Sequence, residues 1–442
     1  MSSGIVIPPE GTFLGDFARI SATDSEAHEA GYLGVGVAMM SVLLGPKLYL
    51  QWTPTHSERC HVWVMLVGQS ALSKRSTIQS ALRHGLDTAH AFGAEFRMGQ
   101  VGRVSDAGIC EMLDASYTDE ESGETRVPST PTGVIAVMPE MVTLLGGGRG
   151  QAYTESARNM LLAVYDGTLR SDTKMTKVPE QPVSATFCGN ITEAQFDEVL
   201  ASATMTTSGF LGRWVPIMVP VSGRLVAEPL MDATPPGTDA KLTTHLRQLA
   251  RLARAVGPDV NAYAKTTEEA RALRREWYES FHPDAGAGWD GVPQHKRERL
   301  SQLWSRWQAT QLKLAALHAI SRRAEEMDTL ADLVIERADL EWGMSTMGYV
   351  RAQVERTLDD SPAETIEGRL EDRILAFIGE QGGPVRIGDI TEHMKHGNKS
   401  TPNVTRKMVR QATDGLVDAG TLIKTGEAGR SYEVILSSEV EA

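Results

Sequence analysis

The chain is poor in cysteine: Cys60, Cys110 and Cys188 are odd in number and far apart among 442 residues. Scattered thiols exclude a disulfide framework and the paired spacings that hold zinc, and they suit a reducing compartment, so a cytoplasmic location is expected. An excess of positive charge is also lacking. With 44 Lys and Arg against 57 Asp and Glu, the formal charge is −13. That excludes a protein that coats nucleic acid over its whole surface, and any DNA contact must be a local basic patch. The start of the chain lacks a cationic segment followed by an apolar core, so export is not expected. Long apolar runs are scarce too: residues 30–46 are uncharged but are interrupted by Gly31, Gly34, Gly36 and Gly45. They border the minimum for a membrane span, so a buried helix is expected there and no membrane partner. Neither a D-x-D carboxylate pair beside a histidine nor a zinc cluster is visible, so any priming or nuclease chemistry would come from another protein.

Apolar residues at 41% and charged residues at 23% are ordinary for a folded chain, and the length suits two or three domains. From about residue 11 to 220, helical patterns alternate with short apolar runs at 63–67, 133–138, 185–188 and 214–219. Strands alternating with helices imply an α/β fold with a parallel sheet. Residues 238–358 read as almost entirely helical, with a Gly/Pro-rich break at 283–293. The linker Asp359-Asp360-Ser361-Pro362-Ala363-Glu364 leads into a compact segment from about 368 to 436.

The stretch VWVMLVGQSALSKRSTIQSAL, residues 62–82, is a buried strand that breaks into a small-residue turn with two cations and becomes a helix. Backbone N–H groups from Gly68 to Ser73, the positive end of the helix dipole and a cationic side chain together make a phosphate cradle. Gly68, Ser70, Ser73, Ser76 and Thr77 are its candidate ligand contacts, with Ser76 or Thr77 as the hydroxyl that holds magnesium. The match to G-x-x-x-x-G-K-[ST] is loose: Ser73 stands at the second glycine, and Arg75 at the hydroxyl position if Lys74 is the phosphate lysine.

The later apolar runs supply context. GVIAVMPE ends on Glu140, where an NTPase positions its magnesium ligand or its water-activating base. SATFCGN ends on Asn190, an amide able to orient attacking water. SGFLGRWVPI carries Arg213 on a glycine-flanked turn, an arginine-finger candidate for a neighbouring subunit. Cradle, carboxylate, amide and arginine follow in the order of an oligomeric P-loop ATPase.

On these residues the chain resembles the P-loop helicase-like domain of phage and mobile-element primase-helicase proteins. The resemblance runs over residues 11 to about 220, and more loosely to 350. It rests on GTFLGDFARISATDSEAHEAGYLGVGVAMMSVLLG, LVGQSALSKRST, VMPEM, LLAVYDGTLR, FCGNITEAQFDEVL and SGFLGRWVPIMVP. It implies a RecA/AAA+-like parallel sheet core with ATP and Mg2+ as cofactors, a hexamer-forming homo-oligomer, DNA as substrate and a primase-polymerase partner. Such relatives end the cradle Arg-Lys-Ser/Gly-Thr, which places Arg75 at the lysine position and Lys74 at the arginine. The pair is swapped here. The expected domains are an N-terminal helical region over 1–55, the ATPase core over 56–225, a helical lid over 226–360 and a C-terminal domain over 366–442.

That C-terminal domain reads as three helices and a hairpin, a winged helix-turn-helix, with the third helix over 402–417 begun by Thr401 and Pro402. Asn403, Arg406, Lys407 and Arg410 on this helix and Arg430 at the wing are the DNA-binding candidates. Lys174 and Lys177, after Asp166, form a basic loop that either grips DNA in a ring channel or is a solvated hairpin. On the helix HKRERLSQLWSRWQATQLKLAALHAI, Arg306 is a second-sensor candidate, while Leu312, Ala315, Ala316 and Ala319 pack inward and His318 reads as a core histidine. Three functional readings follow: an ATP-driven DNA motor, a nucleotide-gated DNA-binding or loader protein with a weakly hydrolysing cradle, and a winged-helix transcription regulator.

Overall fold

The computed structural model describes residues 4–23, 25–53, 56–100, 106–118, 124–127, 132–141, 151–172, 177–201, 209–223, 239–255, 262–280, 292, 294–360, 366–395, 405–418, 422–425 and 432–437. The chain divides into two units, one of 1–199, 210–274 and 306–353, the other of 200–209, 275–305 and 354–442. Thirteen α-helices lie among the described residues.

The first unit is built on five parallel strands: β1 (Trp63–Val67), β2 (Phe96–Gln100), β3 (Gly133–Met138), β4 (Ser184–Ile191) and β5 (Trp214–Met218). Their order across the sheet is β5-β1-β4-β3-β2. Every residue of β1, β3 and β4 is buried, which is why they read as continuous apolar runs and not as alternating ones. The helices of this unit are α1 (Phe13–Thr23), α2 (Glu29–Leu44), α3 (Arg75–Ala91), α4 (Asp106–Leu113), α5 (Gln151–Tyr165), α6 (Glu193–Ala201) and α7 (Ala240–Ala255), with parts of the later helices.

Helix α2 is the uncharged stretch of the sequence, buried from Ala30 to Leu44. It packs across β1, β3, β4 and β5 and is flanked by α1, α3 and α7. A helix apolar on every side is a core helix, and its glycines explain themselves by approach: a Cβ on Gly34 would lie 2.9 Å from Ile217 Cδ1 and 3.0 Å from Leu66 Cδ2. Among the described residues no helix is long and apolar enough to cross a membrane.

Two expectations change here. The region 1–55 is not wholly helical: Leu48–Thr53 and His56–Arg59 pair antiparallel, and Ala262–Tyr263 joins Leu48–Tyr49 in parallel. The alternation of LYLQW, with Leu48 and Leu50 buried, is the signal, a short one. Nor is 226–360 a lid of its own, because α7 packs on α1, α2 and α3, and residues 306–353 belong to the first unit.

In the second unit, α11 (Ile366–Gln381), α12 (Ile387–Lys395) and α13 (Arg406–Asp418) surround a core that includes Leu370, Ile374, Ile390, Val409, Leu416 and Val434. Helices α8 (Glu268–Ser280), α9 (Gln294–Arg323) and α10 (Arg337–Asp360) precede them in sequence. Val385–Arg386, Glu433–Leu436 and Leu422–Thr425 form an antiparallel sheet in that order. The described part of the third helix begins at Arg406, with Thr405 Oγ1 accepting from Met408 N; residues 401–404 lie outside the described residues.

At the N-terminal edge of the parallel sheet, Trp63 stands 5.1 Å from Trp214, 4.7 Å from Phe187 and 5.0 Å from Tyr165, ring to ring. A buried polar cluster adjoins them. The Lys313 ammonium, 1% exposed, lies 3.3 Å from Glu58 Oε2, 3.3 Å from the Tyr165 hydroxyl and 4.3 Å from the Tyr165 ring centroid. Burial alone would lower the pKa of Lys313, but Tyr165 and Glu58 together raise it above its ordinary value. His61 Nε2 donates to Tyr165 O at 2.7 Å, and burial, with the Lys313 charge beside it, depresses the imidazole well below its ordinary 6.5.

His61 is therefore neutral when folded but takes a proton in the unfolded chain below pH 6.5, so stability falls as pH drops through that value. Denaturant titrations at pH 7.5 and 5.5 are expected to show a loss of about 1 kcal/mol in the wild type. His61→Asn should remove this increment whatever its effect on absolute stability. An equal loss in the variant would place the proton elsewhere.

Candidate functional site

The turn after β1 begins at a glycine because nothing larger fits: a Cβ on Gly68 would sit 2.7 Å from Ser73 Oγ, 2.8 Å from Ser73 Cβ and 3.0 Å from Val219 O. The loop then folds tightly on itself. Leu72 N donates to Ser70 O at 2.8 Å, and Ser73 returns both its N–H (3.2 Å) and its hydroxyl (2.7 Å) to Gln69 O. Ala71 sits at φ +63° and Lys74 at +51°. They are the only non-glycine residues in the left-handed region among the described residues, and strain of this kind, on the order of 1–3 kcal/mol each, collects at ligand sites. Lys74 is the N-cap, α3 starts at Arg75, and Thr77 N and Ile78 N close the first turn on Lys74 O.

Topology sets where this loop lies. The chain leaves β1 through α3 for the edge strand β2, and leaves β4 through α6 for β5 at the opposite side, so adjacent strands β1 and β4 send their connections apart. A crevice opens at such a point, beyond the carboxyl ends of the strands. The loop is stitched into it. Gly68 N donates to Ile191 O at 3.2 Å, Arg75 Nη1 donates to the same carbonyl, Gln79 Nε2 reaches Met138 O at the end of β3 (3.4 Å), and Met141 N donates to Asn190 O (2.9 Å).

Arg75 is the cation inside this crevice. Burial lowers the pKa of its guanidinium, opposed by the carboxylates of Glu140 and Glu193. Glu140 is exposed just past β3, and Glu193 opens α6. Asn190, paired in register with Leu66, is 7% exposed, and its Oδ1 is buried without a hydrogen-bond partner. Arg75, Glu140 and the β4 tip bearing Asn190 are thus brought together. Glu193 was not anticipated, because an acid in the first turn of a helix already has a structural reason to be there.

The other cradle residues differ in their commitments. Lys74 Nζ is held 2.8 Å from Glu26 Oε2 on the α1–α2 connection. Ser70, Ser76 and Thr77 are exposed, whereas Ser73 is buried with its hydroxyl committed to Gln69 O, so Ser73 shapes the loop and does not offer its Oγ. Ser76 and Glu140 are oxygen donors of the kind magnesium prefers. Among the described residues no group of three or more His, Cys, Asp and Glu side chains could hold a metal by itself.

Arg213 stands on the turn that the sequence indicated, in a closed setting. It immediately precedes β5, at the opposite end of the sheet from the cradle, with a side chain 4% exposed. Its guanidinium is held by both Asp166 oxygens at 3.1 Å, 5.3 Å from the Tyr165 centroid. The flanking glycines suggested a projecting arginine, but the aromatic cluster closes over it. Lys177 is exposed at the start of the strand Lys177–Pro182, which pairs with Thr168–Asp172; Lys174 lies outside the described residues. Arg306 is exposed on α9, and His318 is a core histidine, its Nδ1 2.9 Å from Asp339 Oδ1 and its ring stacked on Trp342.

On α13, Arg406 and Lys407 are exposed. Arg410 instead lies 5.7 Å from the Tyr432 centroid. The Tyr432 hydroxyl donates to Asp414 at 2.7 Å, and Lys424 Nζ sits 2.9 Å from the same carboxylate. Burial and the Asp414 charge raise the Tyr432 pKa. Asn403 and Arg430 lie outside the described residues. Comparison of the sequence with protein-family models and with characterised proteins finds no match, so the site stands on its own geometry.

Proposed function

We propose that the first unit is a P-loop ATPase core of the RecA/AAA+-like kind, and that the chain is an ATP-driven helicase or translocase acting on DNA in the replication of a phage or mobile element. One observation carries this reading: a strained turn at the topological switch point delivers Arg75 to the Ile191 carbonyl at the β4 tip, within the field of Glu140 and Glu193. ATP would lay its phosphates along the loop N–H groups and the start of α3. Ser76 and Glu140 would hold the magnesium it brings, and Glu140 would take the proton of the attacking water. Arg75 would be the phosphate-facing cation, its planar fork replacing the usual lysine. The active form would be a homo-oligomer, a hexamer in the resembling family, with a primase-polymerase as partner. To serve a neighbouring subunit of that oligomer as a finger, Arg213 would have to leave Asp166, which holds it in the single chain.

The second unit supports the DNA part of the reading. Three helices followed by an antiparallel hairpin are the parts of a winged helix, and Arg406 and Lys407 at the exposed start of its third helix suit phosphate contacts on duplex DNA. Lys177 and Lys174 are candidates for the single strand in a ring channel. A nucleotide-gated DNA-binding or loader protein is the second reading, favoured by the Lys74–Glu26 pair and by an arginine at the central position.

ATP hydrolysis by the full chain, with and without single-stranded DNA, separates these readings. Glu140→Gln is expected to lower turnover about 100-fold or more while ATP binding persists, and Arg75→Ala to lose binding. Binding without turnover in the wild type would favour the gated protein instead. For the second unit, Arg406→Ala/Lys407→Ala should weaken duplex binding and reduce the slope of log K against log salt by about 2. Sequence-specific duplex binding that ignores ATP would point to a transcription regulator.

A further inference from the structure

The two cradle cations have different neighbours, and the difference assigns a role to a residue outside the cradle. Arg75 is tied to the carbonyl of Ile191 in the crevice, whereas Lys74 is turned to Glu26, 2.8 Å away. Glu26 is not a loosely swinging side chain. Its neighbours Ser25 and Ala27 are buried, and the Ser25 hydroxyl accepts from Ala27 N at 3.0 Å and from Tyr32 Oη at 2.7 Å. From the other side, Ser222 Oγ donates to the Glu26 carbonyl, in the same segment whose Val219 O approaches Gly68. The carboxylate is therefore presented to the cradle by two flanking segments. The pair is nevertheless reachable, with side chains 40% and 28% exposed, and an ion pair so exposed is a weak one that another anion can replace.

Resting on the reading of this turn as a phosphate site, we propose that Glu26 is an internal competitor for the polyphosphate of a nucleoside triphosphate. In the empty cradle it neutralises Lys74; on binding, phosphate oxygens replace the carboxylate and Lys74 turns from Glu26 to the ligand. Two features make phosphate the fitting replacement. The left-handed N-cap Lys74 places its charge at the start of a helix, and the N–H groups there favour anions; at the adjoining strand tip the buried Asn190 Oδ1, an acceptor without a partner, suits a donor such as water. No covalent step is involved. Glu26 sets affinity, and through Ser222 and the start of α2 it links occupancy of the cradle to the segments beside it.

The test is calorimetric titration of the full-length protein with a magnesium-bound, non-hydrolysable ATP analogue and, separately, with inorganic tripolyphosphate. Glu26→Gln should tighten both about fivefold, Lys74→Met should weaken both, and adding Glu26→Gln to Lys74→Met should change nothing further. Binding by Glu26→Gln where the wild type shows none would support the same competition. If Lys74→Met weakens binding but Glu26→Gln leaves it unchanged, the competition is refuted while the phosphate site stands. Tightening for the nucleotide alone would also refute it, by placing Glu26 against the nucleoside. If neither wild type nor Glu26→Gln binds either probe, both this inference and the ATPase reading fall. Thermal melting of each variant checks folding, and Glu26→Asp, which withdraws the carboxylate by one methylene, should shift affinity in the same direction if Glu26→Gln does not fold.

Discussion

The hydrogen bonding of β4 beside β1 is the constraint on which the rest of the molecule depends. These strands are far apart in sequence, yet Cys188 to Ile191 run in register with Val64 to Val67. That pairing puts Ile191 O within reach of Gly68 N and Arg75. It also fixes which face of the sheet Asn190 lies on, since a slip by one residue would exchange the faces of the whole strand. The apolar helix α2, lying across β1, β3, β4 and β5, is what makes the register costly to lose: a slip would present Thr186 and Asn190 to a different set of neighbours along a fully buried strand.

Charge is handled in opposite ways at the two ends of this sheet. At the N-terminal edge, Arg213, Asp166, Lys313, Glu58 and His61 lie in or beside a closed aromatic shell, and Lys313 is 1% exposed. Removing the carboxylate from Arg213 or Lys313 leaves a buried cation without its partner, which is costly, so these contacts are fixed features of the fold. At the carboxyl end, Lys74 and Glu26 carry equally opposite charges at 2.8 Å but remain in touch with water. The exposure of the cation, 1% for Lys313 and 4% for Arg213 against 40% for Lys74, separates a permanent tie from an exchangeable one. The same comparison separates Arg410, drawn over Tyr432, from Arg406 and Lys407.

Much of the fold was legible because its signals are local. Runs such as WVMLV and GVIAVM can hardly be anything but buried strands, the glycine-interrupted 30–46 stretch is too short and too broken to prefer a membrane, and Leu312, Ala315, Ala316 and Ala319 pack inward as their spacing implies. The order β5-β1-β4-β3-β2 was not legible, since periodicity says that strands exist and nothing about which pair. The strand Leu48–Thr53 was missed for its brevity. Assigning 226–360 to a lid failed for a different reason: α7 carries an ordinary amphipathic pattern, and no pattern names the helices its apolar side will meet. In the site, Glu140 and Asn190 could be placed from strand ends. Glu26 could not, because it owes its position to α1, α2 and the segment after β5 arriving together.

The order of Lys74 and Arg75 bears on what the proposed site can do. Lys74 is the left-handed N-cap and Arg75 the first helical residue, and their side chains diverge: Arg75 meets Ile191 O at the β4 tip and Lys74 meets Glu26 on the flank. Here the flexible, compact ammonium has the flank and the planar guanidinium has the crevice. A guanidinium offers five donors in a fixed fork, enough to keep Ile191 O while still meeting a phosphate, and it cannot lose its proton. An ammonium in the same place would offer three donors on one atom at the end of a flexible stem, without the fixed fork. This arrangement would give the proposed site a central cation that is in position before any anion arrives. The mobile charge is left at the rim, where Glu26 can reach it.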